Sequence, residues 1–158
     1  MSAPEKMAIF VPILKKIIMK KVFIVMCLTL MPFWVTAQDV LGNWKLEDGS
    51  AIVEVYSLGD VFNGKIIWLK NPTMKDGTPV VDVYNPDTKL RSRKIMGLNI
   101  LSGLKKDGKE YSGGLIYDPN NGKTYYCSMK VEGNVLKVRG SLDKRGFFGR
   151  TMNWFRVK

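Results

Sequence analysis

Val40-Leu41-Gly42-Asn43-Trp44-Lys45-Leu46-Glu47-Asp48-Gly49 is the stretch that decides the fold. Val40, Trp44 and Leu46 fall on one face, and Asn43, Lys45 and Glu47 on the other. A period of two marks a strand with one buried and one wet face. Asp48-Gly49 then supplies a tight turn. The same grammar repeats downstream. After this first strand, Val40–Glu47, strands are expected over Ala51–Ser57, Val61–Leu69, Lys94–Ser102, Glu110–Tyr117, Lys123–Glu132, Asn134–Leu142 and Arg150–Val157. Gly59-Asp60, Lys106-Asp107-Gly108, Asn121-Gly122 and Gly133-Asn134 separate them as turns. In the third strand, Phe62, Ile66 and Trp68 are expected to share a face. Gly113-Gly114 predicts a bulge or sharp bend. Helical periodicity is nearly absent.

Eight short antiparallel strands joined mostly by hairpins predict an all-β fold, a single eight-stranded antiparallel up-and-down barrel without exposed sheet edges. A two-sheet sandwich is the alternative. The interior of an eight-stranded barrel is either filled by side chains or holds one small ligand. The long connection Lys70–Lys94 carries three prolines and is expected to cover one barrel end. Within it, Asn85 as N-cap and Pro86 at the first helical position predict a short helix over Pro86–Ser92.

The segment before the barrel reads as an export signal. Lys20-Lys21 give a positive start, and Val22–Met31 is an apolar run with only Thr29 polar. Val35-Thr36-Ala37 places cleavage before Gln38. The run is shorter than the about 20 residues of a membrane-spanning helix and contains Pro32. An uncleaved anchor is the competing reading. Met26 before Cys27 is too bulky for a lipoprotein signal. Met19 is the more natural start, which makes residues 1–18 an upstream extension. The expected organisation is therefore a signal segment and its helix over 1–37 and the barrel over 38–158, in the periplasm or outside the cell.

The whole chain carries a net charge of +11, and residues 38–158 hold 20 of the 25 basic and 13 of the 14 acidic residues. A moderately basic surface suits an anionic membrane, or is ordinary solubilising charge. No nucleic-acid motif is present, and export argues against such a partner. The chain has no histidine. That removes the usual general base and any histidine metal ligand, so Ser-His-Asp and Cys-His catalysis are out of reach. Only Cys127 remains beyond the signal, so no disulfide forms within the barrel, and its alternating context reads as a small buried apolar residue.

The two ends of the barrel domain are informative together. If first and last strands pair, Trp44 lies beside Arg156, and a guanidinium over an indole is worth about 1–2 kcal/mol when partly desolvated. Gly42-Asn43-Trp44 with Trp154-Phe155-Arg156 resembles the lipocalin and calycin closure, in which a basic residue of the last strand covers the tryptophan of a Gly-x-Trp. Gly42, Trp44, Trp154 and Arg156 are thus closure residues of structural rather than binding character. Further segments are Gly64-Lys65-Ile66-Ile67-Trp68-Leu69, Asn85-Pro86-Asp87 with Leu90–Arg93, Gly97–Leu104, Gly113–Pro119, Gly122–Tyr125 and Phe148–Trp154. With these, the chain from Leu41 to Arg156 resembles the bacterial domain-of-unknown-function family 2147. The resemblance implies a small exported lipocalin-like barrel and no established ligand or reaction. The paired cysteines of many relatives are absent here, and Leu142-Asp143-Lys144-Arg145 replaces a more apolar segment.

Arg91, Arg93 and Lys94 cluster beside the long connection, either as an anion clamp at the barrel mouth or as a solvated face. Asp82, Asn85 and Asp87 invite a calcium reading, but their spacing is not that of an EF-hand, and turn and cap duties account for Asn85 and Asp87. Glu54, between Val53 and Val55, is expected to point outward. Trp68, Tyr111, Tyr117 and Tyr126 are wall aromatics or a ligand platform. The candidate ligand contacts are Arg91, Arg93, Trp68 and Tyr117, with no catalytic residue, metal or cofactor expected. The favoured function is binding of a small apolar or amphipathic ligand. The alternative is an envelope interaction protein, with a packed barrel and a basic surface contacting membrane headgroups or a protein.

Overall fold

The computed structural model describes residues 39–157. The expected signal segment, with its cleavage point before Gln38, lies outside the described residues. The eight strands are β1 (Gly42–Lys45), β2 (Ala51–Leu58), β3 (Val61–Leu69), β4 (Asn99–Asp107), β5 (Glu110–Asp118), β6 (Lys123–Glu132), β7 (Val135–Ser141) and β8 (Gly149–Arg156). Each pairs antiparallel with the next in sequence, and β8 returns to β1, giving a closed up-and-down barrel.

The first strand keeps its two faces. Val40 and Trp44 are buried, Leu46 is half-buried, and Lys45 and Glu47 face water or the margin. Glu54 points outward as expected and pairs with Lys65 at 3.0 Å. Val40 brings the chain beneath the barrel, where its carbonyl accepts the Trp44 indole N–H at 2.8 Å. The Arg156 guanidinium lies 4.1 Å from the Trp44 ring centroid, and its Nη1 donates to Leu41 O at 3.0 Å. Gly42 (φ +117°) makes this approach feasible, since a Cβ there would meet Arg156 Nη1 at 3.3 Å.

Three local expectations are corrected. The fourth strand begins at Asn99, not Lys94, and runs to Asp107. Lys94 is instead bridged to Val81, and a turn with Gly97 at φ +83° precedes the strand. The strand continues past Gly103, whose φ of +74° is accommodated beside Gly114. The helix over Pro86–Ser92 is reduced to a single 3-10 turn, Thr88–Leu90, capped by Asp87 rather than Asn85. A helix from Asn85 would send the Asn85 carbonyl to the Lys89 amide. That carbonyl accepts Arg91 Nε at 2.8 Å instead, and the Lys89 amide goes to Asp87 Oδ1 at 3.0 Å.

Finally, Trp68 does not share the face of Ile66. Val53 opposes Ile66 while Ile52 opposes Trp68, so Ile67 is an extra residue and the phase flips after it. Trp68 turns outward, 41% exposed, and Leu69, opposite buried Ala51, packs on the core.

The expected bulge at Gly113-Gly114 is present as a register shift between β5 and β6. Gly113 has φ +77°, and Gly114 is buried so tightly that a Cβ would fall 2.4 Å from Leu104 Cγ and 2.5 Å from Ser102 O. Because a backbone oxygen cannot yield, Gly114→Ala is expected to cost about 3 kcal/mol, the upper range for overpacking. Gly59→Ala, at φ +60° in open space, should cost only about 1 kcal/mol. Urea unfolding of both variants measures this, and equal losses would show that Gly114 is not a packing constraint.

Candidate functional site

The up-and-down order gives the barrel two unlike ends. One carries the β2–β3, β4–β5 and β6–β7 turns together with residues 39–41. The other carries the β1–β2, β5–β6 and β7–β8 turns and the long connection between β3 and β4. From the first end through the middle, most inward side chains are covered, with Phe62 and Val131 half-buried near the rim. Val40, Trp44, Val53, Leu101, Leu104, Leu136 and Val138 are wholly buried, and Met129, Tyr111 and Trp154 nearly so. This half is a packed core.

Toward the second end the same inward register continues, but burial falls. Leu46 follows Trp44 by two residues, Leu69 opposes Ala51, Tyr125 opposes Ile116, and Met152 opposes Val138. All four touch the core yet remain half-exposed. Gly140 stands among them, opposite Cys127. A Cβ there would sit 3.5 Å from Ile116 Cγ2 and 3.8 Å from Tyr125 Cβ, ordinary contact distances. Arg150 opposes Gly140, in the inward phase of Met152 and Trp154, and is exposed. Half-buried apolar side chains thus gather at this end around Gly140, with the exposed Arg150 guanidinium beside them; this group is termed the cup.

Beside this cup the long connection is pinned by a buried carboxylate. Asp82 is 0% exposed. Its Oδ2 accepts Arg93 Nε at 2.8 Å, Arg93 Nη2 at 2.7 Å and Asn85 Nδ2 at 2.8 Å. Its Oδ1 accepts the Tyr117 hydroxyl at 2.7 Å. Burial alone pushes the carboxyl pKa up. The bonds from Tyr117, Asn85 and Arg93, with the guanidinium charge, outweigh it and hold the pKa below its ordinary value. Burial and the Asp82 contact push the Tyr117 phenol up. The Arg93 guanidinium also stands 5.2 Å from the Tyr117 ring centroid. Nearby, the Tyr84 carbonyl occupies the space a Gly122 Cβ would take, so the connection lies directly on the β5–β6 turn. Val80 and Ile95, joined within it by a hydrogen bond from the Ile95 amide to Val80 O at 3.1 Å, pack on the core.

Of the four ligand contacts expected from sequence, Arg93 and Tyr117 meet, but on Asp82. Arg91 is adjacent through the Asn85 carbonyl, and Trp68 stands apart on the outer face of β3. Asp82, Asn85 and Asp87 are each engaged by protein donors. Cys127 is buried and its thiol is pushed up to about 12, so thiolate chemistry is suppressed. The cup residues were missed. Their signal was a glycine inside an otherwise apolar-alternating strand and an arginine on the phase of Met152 and Trp154.

Residues 42–156 match a family model described as an uncharacterised protein conserved in bacteria, DUF2147. Among solved structures, the chain is similar to protein HP1028 from the human pathogen Helicobacter pylori, described as belonging to the lipocalin family. The similarity has a TM-score of 0.66 and 30% sequence identity, and covers 76% of this chain and 84% of that one. No curated protein matches the chain.

The Asp82 strut makes a pH-dependent contribution to stability. With its folded pKa lowered, that contribution is complete above the ordinary carboxylate value of 3.8 and is lost as pH falls through the lowered value. Asp82→Asn is therefore expected to cost about 2 kcal/mol at neutral pH. That is less than for a fully buried pair, because the Arg93 side chain is 34% exposed. Urea unfolding across the acid range should show the variant and the parent converging once pH falls below the lowered carboxyl pKa. A constant gap would assign the loss to packing rather than charge.

Proposed function

The chain belongs to the bacterial family DUF2147, and from that premise we propose that it is an exported binder of a small amphipathic molecule, held at the cup end of the barrel. One observation carries this reading. Leu46, Leu69, Tyr125 and Met152 face inward yet stay half-exposed around Gly140, while Arg150 stands at the lip. An apolar group entering there gains about 25 cal/mol per Å² removed from water. An anionic head would meet the Arg150 guanidinium, whose fork geometry suits carboxylate, sulfonate or phosphate.

The packed lower half sets the depth. Only a short tail, or the end of a longer one, enters above Val138 and Ile116. Export rests on the sequence of residues 20–37. The lipocalin-like fold points to binding rather than catalysis, and the buried Cys127 thiol supplies no nucleophile.

Anilinonaphthalene sulfonate, an apolar fluorophore with an anionic head, is the probe. The protein from Gln38 onward is expected to bind it, and Gly140→Leu, which fills the cup, to abolish binding. Met152→Trp is a second filling variant should Gly140→Leu fold poorly. Arg150→Gln should weaken the sulfonate about tenfold while leaving uncharged Nile red unaffected. Undiminished binding by a folded filling variant would refute the cup. In parallel, native mass spectrometry of the protein from its own envelope should show a bound mass and a chain beginning at Gln38.

A further inference from the structure

The turn between β7 and β8 holds the most exposed apolar side chains among the described residues. Leu142 and Phe148 are 74% exposed and Phe147 is 73% exposed. Leaving a phenylalanine in water rather than burying it forgoes hydrophobic stabilisation. This loop is nevertheless built to hold its rings out. The Asp143 carboxylate accepts the amides of Phe147 at 3.1 Å and Phe148 at 2.7 Å. Arg139, from β7, donates through Nε and Nη2 to Gly146 O at 2.9 and 2.6 Å. The Leu142 amide donates to Phe148 O at 2.8 Å. The polar groups are satisfied within the loop, and the apolar ones are displayed.

The apolar surface continues onto the barrel wall. Exposed Leu115 opposes exposed Tyr126, which opposes Ser141 at the root of the loop. Exposed apolar side chains in this number are unusual on an unpartnered surface. Its chemistry is set by Lys144 and Arg145, which lie between Leu142 and Phe147. Among the described residues, neither is in an ion pair.

We propose that this tip docks the barrel on an anionic lipid surface, with Phe147 and Phe148 at the headgroup boundary and Lys144 and Arg145 on the phosphates. Aromatic rings are favoured at that boundary. Protein interface cores, by contrast, are depleted of lysine. Paired cations beside paired rings are complementary to a surface that is anionic outside and apolar beneath. The inference goes beyond the cup and does not depend on it.

The test is flotation of the protein from Gln38 onward, a chain holding all eight strands of the described residues, with vesicles of phosphatidylcholine alone or mixed with phosphatidylglycerol. Binding is expected to the anionic vesicles and to weaken as salt is raised. Phe147→Ser with Phe148→Ser should lower the partition coefficient at least about tenfold. Lys144→Gln with Arg145→Gln should lower it about thirtyfold and remove most of the salt dependence. Both double variants should keep the parent's thermal midpoint and its sulfonate binding, which separates failure of the tip from failure of the cup. The proposal is overturned if the parent ignores anionic vesicles or if the double variants bind them equally well. It is also overturned if sedimentation shows instead a dimer that the phenylalanine changes dissociate, which would make a second copy of the chain the occupant.

Discussion

Closure of the barrel depends on one guanidinium that reinforces a short backbone seam. The β1–β8 seam pairs only Trp44 with Arg156 and Lys45 with Phe155, so the backbone ladder there is short. Arg156 compensates with its side chain. It lies over the Trp44 indole, and its donors reach the Leu41 and Asp39 carbonyls. The same indole sends its N–H to Val40 O. Seam closure and plugging of the adjacent barrel end are therefore one event. Without it, β1 and β8 would be two open edges, each a row of unpaired backbone groups. The core behind Trp44 would also lose its wall.

That closure gives the barrel its polarity. The end holding residues 39–41 carries most of the wholly buried side chains, from Val40 and Trp44 to Val138. The opposite end keeps a connection too long and too rich in proline to form a ladder. It is fixed instead by a carboxylate with four donor contacts. Burying Asp82 is tolerable because every one of those contacts is a hydrogen bond and one partner is cationic. Tyr117 lies in the outward phase of β5, opposite in sense to buried Ile116. The strut thus ties the connection down at the outer rim.

The architecture was legible in sequence wherever alternation ran unbroken. β1, β2 and β6 show their faces directly, and the glycine-containing turns separate them. Legibility failed at phase slips. Ile67 adds one residue and turns Trp68 outward; Gly103 lies within β4 rather than beyond its end. Neither event has a local signature, because a bulge is decided by the partner strand. The Asn85-Pro86 helix failed for a related reason. Asn85 has a tertiary use for its side chain and its carbonyl, and that overrides a sound local capping signal. Asp82 was the least legible. Nothing in Val81-Asp82-Val83 announces a buried carboxylate, since two of its three partner residues stand 11 and 35 residues away. The Trp44–Arg156 contact was readable despite a still longer separation, because antiparallel pairing of first and last strands leaves little choice of register.

Binding features therefore gather where closure leaves surface free. A barrel this small has only so many inward positions. The lower layers are occupied by the residues that keep it folded, so an apolar cleft survives only where inward side chains run out of neighbours. Gly140 deepens that place by omission, and Arg150 gives it a charge. The β7–β8 turn issues from the same two strands, a few residues on either side of Gly140 and Arg150. Its bracing by Asp143 and Arg139 makes the exposure of Phe147 and Phe148 a fixed property of the fold rather than of a wandering loop. Cup and tip thus lie on one strand pair, the first among its inward side chains and the second beyond its end.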